Sequence, residues 1–159
     1  MQKITPCLWF DGKAEEAASF YTSVFKNSRV LGVGRYGEAG PGTPGDVMIV
    51  EFEIDGQHFT ALNGGPQFTF DEAVSFQIGC ADQEEVDYYW DTLTADGGQE
   101  SQCGWLKDKF GLSWQLVPTI IPKLFGEDAD PEGARRAMEA MLQMKRPDIA
   151  AMERAYAGE

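Results

Sequence analysis

Long apolar runs are missing from this sequence of 159 residues. No stretch of about 18 consecutive apolar residues occurs, so no transmembrane helix is expected. The N-terminal segment MQKITPCLWFDG also lacks the apolar core and the small-residue cleavage site of a secretory signal. These absences predict a cytoplasmic protein.

Cysteine and histidine are scarce. The three cysteines, Cys7, Cys80 and Cys103, are odd in number and widely spaced, and no CxxC pair occurs. This pattern argues against a disulfide framework and a zinc finger, and it favours reduced thiols. His58 is the only histidine, and no Walker, HExxH or GxSxG motif is present. A Ser-His-Asp triad would therefore depend on His58 alone.

Basic residues are also few, because 13 Lys and Arg face 26 Asp and Glu, which gives a formal net charge of −13. Nucleic acids and anionic membranes are bound through Lys and Arg that displace counterions. We therefore expect neither as a partner, and we interpret the acidic surface as one that keeps the protein in solution.

Two successive segments share the same order of predicted elements. In each segment a strand precedes a helix, and three further strands follow it. The helical stretches AEEAASFYTSVF (14–25) and QEEVDYYWDTLT (83–94) align at a constant offset, and both begin near a Glu-Glu pair that suits the helix dipole. The sequence therefore predicts two βαβββ modules, at about residues 3–64 and 73–118.

The remaining chain is predicted to be helical, with one turn in TIIPKLFG and two helices after it. Three aspartates are predicted helix caps, and they are Asp11, Asp82 and Asp130. We assign residues 1–125 to a paired-module domain and residues 126–159 to a helical C-terminal extension. The expected fold class is α+β, with a curved mixed sheet whose helix-free face lines a cavity.

Five stretches of the sequence occur in an order typical of one family. They are ITPCLWFDGKAEEAASFYTSVF, ALNGGPQFTF, AVSFQIGC, QEEVDYYWDTL and CGWLKDKFGLSWQLVPT. Together they resemble the PhnB-like branch, also labelled 3-demethylubiquinone-9 3-methyltransferase, of the vicinal oxygen chelate superfamily. That superfamily includes glyoxalase I, bleomycin-resistance proteins and extradiol dioxygenases. The resemblance implies the fold, but the superfamily performs many chemistries.

The resemblance also implies four inward-facing positions, which hold a metal in metal-using members. They fall at or near Thr5 and Ser75 on the first strand of each module, and at Thr60 and Gln115 on the last. Hydroxyls and a neutral amide are poor ligands for zinc or iron. We therefore expect a cavity without metal and without a cofactor.

Other residues are candidates for lining this cavity. His58 lies two residues before Thr60 and so shares its strand face, although the favoured interpretation is a partly exposed hairpin residue. Trp105, together with Trp9 and either Phe68 or Phe76, is expected to form an aromatic wall, with Asn63 and Gln115 as polar contacts. Cys103 is either a nucleophile or a packing residue.

These observations favour a protein that binds a small organic molecule in a metal-free cavity. Whether it is an enzyme stays open, and two alternatives remain: a metal-dependent lyase or dioxygenase relative, or the methyltransferase that the family label names. The glycine-rich stretch GEAGPGTPG opens no predicted helix, unlike the phosphate or SAM loops of Rossmann-like sheets. We further expect a homodimer, because apolar residues lie along the predicted helix at 131–144.

Overall fold

The computed structural model describes residues 2–159, which form two compact units that divide between Phe70 and Asp71. Each unit contains a four-stranded sheet and at least one helix, as the predicted α+β class requires. Within residues 2–159, no helix is both long enough and apolar enough to cross a membrane.

The first unit follows the βαβββ order. Its elements are β1 (Cys7–Phe10), α1 (Ala14–Val24), β2 (Arg29–Arg35), β3 (Val47–Ile54) and β4 (Gln57–Asn63). The sheet order is β1-β4-β3-β2, in which β1 runs parallel to β4 and the other neighbours are antiparallel.

The second unit repeats this topology and then adds the C-terminal helices. Its elements are β5 (Ser75–Cys80), α2 (Gln83–Thr94), a 3-10 turn (Ala95–Gly97), β6 (Gln99–Glu100), β7 (Trp105–Lys107), β8 (Ser113–Pro118), α3 (Ile121–Phe125), α4 (Pro131–Leu142) and α5 (Ile149–Ala157). The sheet order β5-β8-β7-β6 matches that of the first unit position by position. The predicted repeat is therefore confirmed.

Strand alternation sorts the side chains of each sheet into a buried face and an open face. In the first unit, Phe52 stacks between Tyr21 of α1 and Phe59, with ring centroids 6.2 and 5.4 Å away. In the second unit, the strand residues that face the helix layer are largely buried, and they include Ile78, Cys80, Leu106, Trp114 and Leu116. On the other face the residues are exposed or half-buried, with Ser113 as a buried exception. The open faces remain available for ligands.

Two of the three predicted helix caps are confirmed. The Asp82 carboxylate accepts a hydrogen bond from the Glu85 N–H at 2.9 Å, and Asp130 accepts one from Gly133 at 2.7 Å. The prediction for Asp11 was wrong, because α1 begins at Ala14 and its N-cap residue makes no side-chain cap bond. The Asn63 side chain, 49 residues away, accepts the Ala14 N–H instead. A partner from another strand is invisible to local sequence patterns.

Polar contacts join the segment that precedes α5 to the helix α2. Gln83 of α2 donates to the Pro147 carbonyl and accepts from the Ile149 N–H, both at 2.9 Å. Arg146 forms ion pairs with Asp87 and Asp91, also on α2. The C-terminal helices have a small core of their own around Leu124, Ala137 and Met152. The polar contacts fix the position of the extension relative to α2.

Candidate functional site

The open face of the first sheet carries two of the predicted site residues. Strand register places Cys7 of β1 and Glu51 of β3 on either side of Thr60, and it pairs His58 with Glu53. Thr5 is half-buried and precedes β1, so Cys7 rather than Thr5 is the first-strand neighbour of Thr60. Glu53 is already paired with Arg29, with 3.2 Å between the charged atoms.

An aromatic surface lies at the end of β1. The Trp9 indole N–H donates to the Gly65 carbonyl at 2.8 Å, and its ring meets Phe68 edge-on at a centroid distance of 4.8 Å. Glycine is needed at position 64, because a Cβ there would overlap the Trp9 ring. Phe68 is 64% exposed. Trp9 and Phe68 thus form an aromatic contact on this unit, whereas Trp105, expected in the same aromatic wall, lies on the second sheet.

Asn63 does not join the open face. Its register partner is Phe10, whose side chain is buried on the helix side of the sheet. Its amide oxygen accepts from Ala14, and its amide nitrogen donates to the Val47 carbonyl at 3.0 Å. Both ends of the amide are therefore engaged by backbone, which makes Asn63 a residue that supports the fold.

The second sheet brings three predicted residues together. The Gln115 amide nitrogen donates to the Ser75 hydroxyl at 2.7 Å. Trp105 lies directly opposite Gln115 in the antiparallel register of β7 and β8. All three side chains are half-buried, and they share the face that points away from the buried strand residues. This face combines an amide, a hydroxyl and an indole.

Ser113 is a site residue that the sequence interpretation missed. It lies between Ser75 and Lys107 in register, on the same face as Gln115, and it is only 1% exposed. Within residues 2–159 its hydroxyl has no hydrogen-bond partner. Lys107 pairs with Glu72, and that hydrogen bond holds the pKa of the Glu72 carboxyl below its ordinary value. The sequence could have indicated it, because Ser113 lies two residues before Gln115 and strand alternation places both on one face.

The opposite face of β8 is fixed by a buried carboxylate. Asp108, 2% exposed, accepts hydrogen bonds from the N–H groups of Phe110 and Leu112 and from the indole of Trp114. Trp114 thus points toward the helix layer. Phe76 packs against Trp114 at a centroid distance of 5.6 Å, so it lies on this side and not with Trp105.

The superfamily positions do not fit a metal. Thr60 on one sheet, and Ser75 with Gln115 on the other, offer only hydroxyl and amide oxygens, which bind zinc or iron weakly. Among the described residues, no group of three or more His, Cys, Asp or Glu side chains converges as a metal site would require.

The units do not fit the usual SAM-binding arrangement either. That arrangement uses a parallel sheet with a glycine-rich turn between a strand and a helix. Here most strand neighbours are antiparallel, and the strand-to-helix connections, residues 11–13 and 81–82, contain one glycine.

A cavity of about 210 Å³ lies between the second sheet and the C-terminal helices. Gln77 and Gln115 line it from the open face, and Cys103 lines it from the turn before β7. The helical side is apolar and is formed largely by Ile121, Met141, Met144 and Met152. Two of the sequence candidates, Cys103 and Gln115, therefore meet at one cavity.

Cys103 is held in an unusual backbone conformation. Its φ is +55°, the following Gly104 has φ +86°, and the Trp105 N–H donates back to the Gln102 carbonyl at 3.0 Å. Two successive positive φ values are typical of a tight type I′ turn, which a cysteine adopts at some cost. The Cys103 N–H and thiol contact the carbonyls of Met144 and Met141, at 2.9 and 3.5 Å.

Comparisons with solved structures define the class of this fold. A PhnB protein from Bacillus cereus is 39% identical, with a TM-score of 0.67, and the match covers 74% of this chain and 100% of that one. A Pseudomonas aeruginosa protein (19% identity, TM-score 0.60) matches 74% of this chain and 98% of its own. The fosfomycin resistance protein FosX of Listeria monocytogenes (17%, TM-score 0.53) matches 76% and 93%. The chain thus has the fold of the vicinal oxygen chelate superfamily.

The family model described as 3-demethylubiquinone-9 3-methyltransferase matches residues 2–117. The chain belongs to this family. No curated protein matches it. The expected PhnB-like and glyoxalase/bleomycin-resistance relationship is confirmed at the level of family and fold.

Proposed function

We propose that this protein binds a small organic molecule through the open faces of its sheets, without a metal ion. The observation that carries the proposal is the hydrogen-bonded pair of Ser75 and Gln115 at superfamily ligand positions, opposite Trp105. An amide and a hydroxyl beside an indole are the contacts that orient a neutral, partly planar ligand.

The hydrogen-bonding capacity of this pair supports the proposal. Gln115 uses its amide nitrogen on Ser75, and no hydrogen bond within residues 2–159 reaches its amide oxygen. A side-chain amide oxygen accepts up to two hydrogen bonds, so it offers a site for a ligand N–H or O–H. The buried and unpartnered hydroxyl of Ser113 adds a further polar group on the same face.

The alternatives receive less support from these residues. A lyase or dioxygenase of the metal-using kind needs imidazole or carboxylate ligands at positions that here carry Thr60, Ser75 and Gln115. A methyltransferase needs a place for its methyl donor, and the usual glycine-rich turn is not part of these units. Binding requires neither a catalytic acid nor a catalytic base, so the hydroxyl, amide and indole groups of the open faces are sufficient for it.

Native mass spectrometry of the untagged protein, purified without chelator, tests the proposal. We expect an organic mass that co-purifies with the wild type and with the control variant Gln143→Ala, which changes an exposed amide at the end of α4. The same mass should be reduced about tenfold in Gln115→Ala, because the ligand donor is then buried without a partner, which costs about 1–3 kcal/mol. One divalent metal per chain, or a mass retained by Gln115→Ala, contradicts the proposal.

We also propose that the protein is a cytoplasmic homodimer. Support for dimerisation comes from exposed apolar residues on the strand β2, namely Val30, Leu31 and Val33, and on the helix α4, namely Met138 and Leu142. Light scattering coupled to size exclusion should give twice the chain mass of 17.6 kDa. Replacing Val33 by Lys and, separately, Leu142 by Lys shows which surface is responsible, and a monomeric wild type refutes the dimer.

A further inference from the structure

The cavity of about 210 Å³ is built partly by residues outside the family match. The family model ends at residue 117, whereas Ile121, Met141, Met144 and Met152 all follow it. Gln77, Cys103 and Gln115 lie within the matched part. The extension therefore adds an apolar wall to a sheet that the family shares.

The size and lining of the cavity define a ligand class. An apolar cavity of about 150 Å³ accommodates benzene, so a cavity of about 210 Å³ holds a single ring with one or two substituents. The methionine thioethers are polarisable and adapt to an aromatic ring. No Lys or Arg is among its lining residues, so a buried anion would have no counter-charge there. These features select a neutral ligand.

The polar side of the cavity is equally restricted. Gln115 lines the cavity, its amide oxygen accepts no hydrogen bond within residues 2–159, and Gln77 adds a second amide next to it in register. A ligand whose ring lies against the methionines can donate one hydrogen bond to Gln115. A ring that carries a hydroxyl or an amino group satisfies both sides of the cavity.

The helical wall is held rigidly enough to serve as a binding surface. The N–H groups of Cys103 and Gly104 donate to the carbonyls of Met144 and Lys145, both at 2.9 Å. Gln83 fastens the following residues through Pro147 and Ile149. The positive φ of Cys103 lies at this junction, where the turn brings the thiol to the cavity lining. Strained non-glycine residues are concentrated at functional sites.

We propose that the C-terminal extension closes the end of the second sheet into a binding site for a neutral single-ring aromatic molecule whose hydroxyl or amino group donates to Gln115. This inference rests on the proposed ligand-binding function and assigns to it a place and a chemical class. It also makes Met144 and Met141 specificity-determining residues, which act by contact with the ring.

Thiol footprinting with phenol as the probe tests this site in the full chain. The three cysteines report on three places: Cys7 is exposed beside Thr60 on the first sheet, Cys103 lines the cavity, and Cys80 is buried. We expect phenol to slow the alkylation of Cys103 by iodoacetamide at least fivefold, read by peptide mass spectrometry. The alkylation of Cys7 should be unchanged, and Cys80 should react slowly with and without phenol.

A pair of variants separates the cavity from the rest of the surface. Met144→Trp fills the cavity and should remove both the protection of Cys103 and the phenol signal in ligand-observed NMR. Met138→Trp, an equal change at a residue of α4 that does not line the cavity, should keep both. If Met144→Trp fails to fold, the effect of phenol on the alkylation of Cys103 and Cys7 in the wild type still tests the proposed site.

The outcomes distinguish this inference from the proposed function. Phenol that protects Cys7 and not Cys103 leaves ligand binding on an open face intact but overturns the extension site. Phenol that binds equally to Met144→Trp overturns it as well. No protection and no NMR signal at 10 mM phenol also refutes the extension site, whereas the co-purified mass and Gln115→Ala decide the proposed function separately.

Discussion

Replacing the buried Asp108 by Asn exchanges one carboxylate oxygen for an amide NH₂ group in the loop that leads into β8. One carboxylate oxygen of Asp108 accepts from the N–H groups of Phe110 and Leu112, at 2.8 and 3.1 Å. The other accepts from the Trp114 indole N–H at 2.9 Å. Asparagine has the same shape, but one of its two ends donates hydrogen bonds instead of accepting them.

Neither orientation of the new amide satisfies the site. With its oxygen toward the backbone, the NH₂ group faces the indole N–H, and one charge-assisted hydrogen bond is lost. With its oxygen toward Trp114, the NH₂ group faces two backbone N–H groups, which is worse. A hydrogen bond to a charged group contributes about 1.5–3 kcal/mol, while removing the buried charge returns part of its desolvation cost. We expect Asp108→Asn to lower the free energy of unfolding by about 2 kcal/mol.

Urea unfolding followed by tryptophan fluorescence measures this loss through the midpoint at constant slope. Asp128→Asn, at an exposed residue, is the matched control and should stay within about 0.5 kcal/mol of the wild type. In a double-mutant cycle, Asp108→Asn and Trp114→Phe should couple by about 1–2 kcal/mol, because both remove the same hydrogen bond. Additive losses, or an Asp108→Asn variant as stable as the wild type, would refute this assignment of the loop's stability.

Three further variants test other parts of the structure. Asn63→Ala removes both the cap of α1 and a bond to β3, and it should cost about 2 kcal/mol in urea unfolding, against about 1 kcal/mol for the simple cap variant Asp82→Ala. Burial, with smaller effects of Glu85 and Asp82, raises the pKa of the Cys80 thiol from its ordinary 9.0 to about 12. The folded state therefore keeps a proton that the unfolded chain loses, so this stability is complete below pH 9 and is lost between pH 9 and about 12. At pH 10 the wild type should have lost about 1.4 kcal/mol more than Cys80→Ala, relative to each protein at pH 7; parallel pH profiles would contradict this. Ser113→Ala should leave the free energy of unfolding unchanged or raise it by up to about 1 kcal/mol, because the buried hydroxyl has no partner within residues 2–159; a loss above 1 kcal/mol would show that it has one.

Local sequence patterns were sufficient to predict the repeated strands and helices. They did not predict the hydrogen bonds that stabilise these elements from residues distant in the sequence. The caps Asp82 and Asp130 could be predicted because the acceptor and the N–H lie three residues apart in the chain. The cap of α1 could not, because Asn63 comes from β4. The buried role of Asp108 was also missed, since a carboxylate in a turn is normally exposed and only the folded loop brings three donors to it.

The candidate site was predictable to the extent that strand alternation determines it. The family resemblance led to Thr60 and Gln115, and the strand period of two places Ser75 on the same face as Gln115 and turns Phe76 away from it. The cavity beside Cys103 had no such signal. It requires the end of the helix at residues 131–142 to pack on a turn 38 residues earlier, as the Cys103–Met141 contact shows, and that arrangement depends on tertiary contacts.

Without a metal, ligand affinity in this fold must come mainly from burial, and the size of the cavity sets how much is available. A single ring buries about 150–250 Å², which at about 25 cal/mol per Å² gives roughly 4–6 kcal/mol before the costs of association. One hydrogen bond to Gln115 adds about 1 kcal/mol. Because the costs of association must still be subtracted, these gains set an upper limit on affinity, with dissociation constants no tighter than about ten micromolar. A ligand that binds more tightly must extend beyond the cavity, and the open face continues from Gln115 to Trp105 and Ser75. Replacing Trp105 by Ala should therefore leave phenol binding intact while weakening a co-purified ligand, and equal losses for both would mean that Trp105 shapes the cavity itself.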